Sequence, residues 1–79
     1  MTRKAKLRRI VHATIHPSED VYVAEAVEVA VATQGRTLPK VVSNLQEAVG
    51  LYFDGENLAA LGFSRSPRLR IRLDVPIKF

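Results

Sequence analysis

The sequence predicts an α+β domain of order β-β-β-α-β, with one helix packed on one face of a four-stranded sheet. Two patterns carry that reading. Apolar and polar residues alternate through residues 7–16, 21–33 and 69–77, which is the two-residue period of strands. Between them, Leu38, Val41, Val42, Leu45, Ala48, Val49 and Tyr52 recur at the spacing of one helix face. The chain has 79 residues, enough for one core.

In the first strand, Val11, Ala13 and Ile15 alternate with Ile10, His12 and Thr14. Pro17-Ser18-Glu19-Asp20 reads as a turn. Residues 21–33 (VYVAEAVEVAVAT) keep the same period but are long for one strand, so a bend is expected between Ala24 and Val27. Val27, Val29, Val31 and Thr33 then share one face; Glu28, Ala30 and Ala32 share the other. Gln34-Gly35-Arg36 interrupts the pattern before the helix.

Thr37 is suited to cap that helix, because its hydroxyl can accept a bond from an orphan amide of the first turn. Pro39 is tolerated there because its missing N–H would have no intrahelical partner. Lys40, Ser43, Asn44 and Glu47 lie opposite the apolar stripe, and Asp54-Gly55 supplies the stop. Leu51 falls off the stripe, so it is either covered by a loop or a contact residue. Residues 54–67 read as a connection with one short helical turn at Leu58 to Leu61. In the last strand Leu69, Ile71, Leu73, Val75 and Ile77 face one way, and Arg68, Arg70, Arg72 and Asp74 the other. Pro76 marks an edge or the end of pairing.

Size and charge bound the function. A chain this short buries only about 60% of the surface its unfolded form exposes, so its stability alone is marginal. It has no cysteine to staple it, which makes a homodimer or higher homo-oligomer the expectation. No apolar run is long enough for a signal or membrane segment, so a cytoplasmic protein is expected. The net charge is +4, with basic ends, an acidic stretch between them and a basic tail over residues 1–6. That balance favours an acidic partner, nucleic acid or protein.

The residues offer little for catalysis. His12 and His16 sit two pleats apart on one strand face, too far to share a metal, and no third ligand has motif spacing. Glu25 and Glu28 would point to opposite faces of a continuous strand, which argues against a carboxylate acid–base pair. Ser64 and Ser66 have no base placed to activate them. Gln34-Gly35-Arg36-Thr37 leads onto a helix N-terminus, but a lone glycine there is ordinary turn chemistry. Asp54-Gly55-Glu56-Asn57 lacks the ligands of a calcium loop. No catalytic residue, metal ligand or cofactor is expected. The row Arg68, Arg70 and Arg72 can track phosphates, meet an acidic protein, or simply be solvated.

Residues 22–53 resemble the HicB antitoxin family, including its short stand-alone members. Tyr22-Val23-Ala24-Glu25 matches its strand motif, and Thr33-Gln34-Gly35-Arg36-Thr37 matches its turn. Asn44-Leu45-Gln46-Glu47-Ala48-Val49-Gly50-Leu51-Tyr52 matches its helix. The helix start departs from the pattern, with Pro39 and Lys40 where the family carries acidic residues. Ala26-Val27 also stands in place of a cysteine–proline pair.

The resemblance implies a mixed sheet of partial RNase-H type, with the first strand central and the last parallel beside it. It also implies a non-enzymatic function: binding and occluding a HicA-type toxin, an mRNA endoribonuclease. Many relatives carry a further DNA-binding domain; these 79 residues do not include one, so action by protein contact is expected. Arg68, Arg70, Arg72 and Leu51 are the expected partner-binding residues. A basic nucleic-acid-binding domain, or an oligomeric module without a toxin, are the rival expectations.

Overall fold

A computed structural model describes residues 6–79. Most of the basic tail, including Arg3 and Lys4, lies outside the described residues; Lys6 is exposed. The elements are β1 (Arg8–Ser18), β2 (Val21–Ala26), β3 (Ala32–Gly35), α1 (Leu38–Phe53) and β4 (Phe63–Leu73). They form the α+β arrangement expected, one helix on a mixed four-stranded sheet of order β3-β2-β1-β4. β1 is central, antiparallel to β2 and parallel to β4.

One face of the sheet builds the core. Val11, Ala13 and Ile15 of β1 and Ala24 of β2 are buried together with Val41, Leu45 and Val49 of α1. Leu69 and Ile71 of β4 pack against the same cluster. A second cluster of Val11, Val29 and Phe63 closes the end of the sheet. Here the helix uses Phe53, not Tyr52: Phe53 stacks edge-on to Phe63 at 5.1 Å, whereas Tyr52 is exposed. The fourth turn of the stripe thus falls four residues after Val49, where the ring can reach β4.

The N-terminus of α1 forms as its sequence demands. Thr37 is extended and its hydroxyl accepts a bond from the Lys40 amide at 3.2 Å, which satisfies one orphan donor. Gly35 explains how closely the preceding strand approaches. A Cβ at that position would sit 2.6 Å from the Val41 backbone nitrogen, so only glycine lets β3 run against the helix. Asn44, expected on the polar face, reaches across to donate to the Gln34 carbonyl at 2.8 Å and ties α1 to the edge strand.

Boundaries differ from expectation in four places, each for a local reason. β1 continues through Pro17 and Ser18, and the turn shrinks to Glu19-Asp20, with Glu19 at φ 53°. The bend in residues 21–33 falls later, at residues 27–30, leaving β2 and β3 antiparallel. Gln34 and Gly35 belong to β3 rather than interrupting it.

β4 is displaced most. It begins at Phe63, because β1 advances only from Arg8 to Ile10 while β4 advances from Phe63 to Arg68. The extra residues form a bulge that holds Pro67, which has no amide to offer a ladder. The strand then stops at Leu73 rather than Ile77. The Asp74 amide donates to the Ile15 carbonyl at 3.0 Å. The next parallel step would need the amides of residues 17 and 76, and both are prolines. Val75 and Ile77 therefore continue the alternation without a strand to pair with and are exposed. The turn expected near Leu58 is present: Leu61 and Phe63 donate back to the Leu58 carbonyl, and Gly62 adopts φ 87°.

Candidate functional site

α1 covers one face of the sheet, and among the described residues no element covers the other. Strand alternation places Ile10, His12, Thr14 and His16 of β1 on it. The parallel register sets Arg68 beside Ile10, Arg70 beside His12 and Arg72 beside Thr14, and all three arginines are exposed. Glu25 of β2 and Ala32 of β3 continue the row of Thr14 and Arg72. The face is polarised, with guanidinium groups along β4 and carboxylates toward β2.

Its most structured feature was not legible from strand periodicity. β2 ends at Ala26, and the Val27 amide still donates to the His12 carbonyl at 2.8 Å. The chain then bends away and leaves the His12 amide without its ladder acceptor. Glu28 folds back from the bend and supplies the missing acceptor: its carboxylate takes the His12 amide at 2.7 Å. The other oxygen accepts from the His12 ring at Nδ1, and Arg8 Nη1 lies 3.9 Å away. The Glu28 side chain is only 9% exposed. Burial acts to raise its pKa, but the bonds from the His12 ring and amide outweigh that and hold the carboxyl below its ordinary range. A sequence signal existed in hindsight: an acidic residue just past a strand end can cap the edge its strand vacates.

Leu51 is 66% exposed and lies on the solvent side of α1. It is therefore on the opposite surface from the arginine row, and the two cannot belong to one flat contact. Arg68, Arg70 and Arg72 are brought together; Leu51 is not among them. Glu25 and Glu28 were expected on opposite faces of a continuous strand, but the bend after β2 turns Glu28 back onto His12, on the same open face as Glu25, which pairs with Thr14. Glu28 is bonded to β1 while Glu25 is exposed in mid-strand.

Among the described residues, no three His, Cys, Asp or Glu side chains gather where they could hold a metal ion, and no helix is long and apolar enough to cross a membrane. The surface depressions are open. One, between the C-terminal half of α1 and β4, has an apolar floor of Val49, Phe53, Leu58 and Leu69 and is bordered by Gln46, Arg65 and Arg68. The edge residue Arg68 thus also borders the helix side, and no acid faces these bases there.

Fold and surface together define a two-layer α+β domain whose second sheet face is charge-polarised and uncovered among the described residues. No protein-family model matches the chain, and no curated protein or solved structure does either.

Proposed function

We propose that this chain is a HicB-like antitoxin, a non-enzymatic binding protein that neutralises a HicA-type mRNA endoribonuclease in the cytoplasm through the open face of its sheet. The observation that carries the reading is the uncovered face itself. A flat surface with an arginine row, a held His12 and half-buried Ile10 and Val23 suits coverage by another protein. The motif spacing over residues 22–53 supports the family, and its motif residues have structural work in this fold. Gly35 permits the close approach to Val41, and Asn44 ties the helix to β3.

Contact by the open face leaves Leu51, exposed on the helix, outside that surface; a homodimer or larger oligomer remains part of the proposed reading. The reading is tested by co-expressing a HicA-type ribonuclease with the chain and scoring growth. Wild-type protein restores growth; the triple substitution R68A/R70A/R72A, made on exposed side chains, loses rescue while remaining folded. Failure of the wild-type chain to rescue, or full rescue by the triple variant, sinks the proposal.

A further inference from the structure

One corner of the open face carries more positive charge than its neighbours neutralise. Glu28 is fully engaged by β1, through the His12 amide, the His12 ring and Arg8. Arg72 has Asp74 at 3.6 Å. Among the described residues no carboxylate lies within ion-pair reach of Arg68 or Arg70. These two arginines stand one pleat repeat apart, about 6.6 Å along the strand, and His12 is one strand spacing of about 4.8 Å from Arg70.

We infer that Arg68, Arg70 and His12 form a binding site for the phosphodiester backbone of a single nucleic-acid strand lying along β4. Planar guanidinium forks match phosphate oxygens in pairs. The cations form a line on a flat strand rather than a ring around a hollow, which suits a polymer of regularly spaced anions over a small phosphate compound. Glu28 holds the Nδ1 side of the His12 ring, so Nε2 is the nitrogen left for a ligand. With Nδ1 bonded to the Glu28 carboxylate, Nε2 is turned outward beside Arg70. The charged groups facing that ring are Glu28 from the bend after β2, Arg8 on β1 and Arg70 on β4. Every aromatic side chain lies elsewhere: Tyr22, Phe53 and Phe63 pack into the core side, and Tyr52 and Phe79 lie on the helix and the terminal segment. Without stacking, binding is sequence-independent and carried by charge. The inference does not rest on the toxin reading, since it concerns the purified chain alone.

The test is fluorescence anisotropy of labelled oligouridylate and oligothymidylate, with a duplex of equal length and phosphatidylserine vesicles as comparison arms. With two or three phosphates engaged, single-strand affinity falls by about 7- to 20-fold between about 50 and 200 mM salt. R68Q/R70Q removes most of the binding and flattens the salt slope. H12Q, which removes the ring beside Arg70, weakens single-strand binding less than R68Q/R70Q does. R36A, at the opposite end of the sheet edge, changes little. Similar affinity for uridylate and thymidylate supports a backbone site. Absence of single-strand binding at low salt, equal binding by R68Q/R70Q, or preference for duplex or vesicles overturns the inference.

Discussion

Glu28 shows how much one side chain can decide when a strand ends early. It substitutes for a strand by accepting the His12 amide at 2.7 Å, and its folded pKa is lowered by the His12 bonds despite burial. A carboxyl with a depressed folded pKa contributes stability that is complete above its unfolded value of about 4.3 and lost as pH falls through the folded one. Wild-type stability should therefore drop below about pH 4 more steeply than that of E28Q. Urea midpoints measured across the acid range check this, and parallel curves would show the bond to be unimportant. Gly35 and Gly50 make an opposed pair. G35A forces a Cβ against the Val41 backbone and should destabilise by about 1–3 kcal/mol. G50A adds a methyl group to an exposed helix position with nothing within 4 Å and should stabilise by about 0.5–1 kcal/mol. Denaturant titration of both variants reads the two signs directly.

At the scale of elements, the helix was the most legible part of the sequence, because capping and periodicity agree. Thr37 and Pro39 mark its start, and Val41, Leu45 and Val49 its buried line. Its weakness is equally local: the first turn holds no acidic residue, and Lys40 stands where a glutamate would complete a capping box with Thr37. K40E should raise stability by about 0.3–1 kcal/mol, by removing a cation from the positive end of the helix dipole and adding an acceptor. A fall in the thermal midpoint of that variant would contradict this. β4 was the least legible element. Alternation reports a period, not a partner, so it continued to Ile77 past the point where Pro17 and Pro76 end the ladder. The Ser- and Pro-containing bulge hid the true start at Phe63. For the same reason the Glu28–His12 contact was invisible: it joins residues sixteen apart that no periodicity links.

For the whole molecule, topology sorts the functional candidates. The arginine row could be read from sequence, since alternation alone puts Arg68, Arg70 and Arg72 on one side. That Leu51 lies on the far surface required knowing which sheet face α1 covers. A domain of this size has about 4–12 kcal/mol of stability in total, and L45A should remove about 2–5 kcal/mol of it by emptying the centre of the core. Arg68, Arg70 and Arg72 are exposed and outside the core clusters, so these three charges can be changed without unfolding the chain. That separation makes one experiment decisive for the proposed partner. Isothermal titration of a HicA-type ribonuclease into the wild-type chain, into R68A/R70A/R72A and into L51A compares the two surfaces in one assay. Tight binding by wild type and L51A, with at least about tenfold weaker binding by the arginine variant (about 1.4 kcal/mol) at an unchanged unfolding midpoint, is the expected result. No binding by the wild-type chain, or equal affinity in all three proteins, would contradict the assignment of the open sheet face as the partner surface.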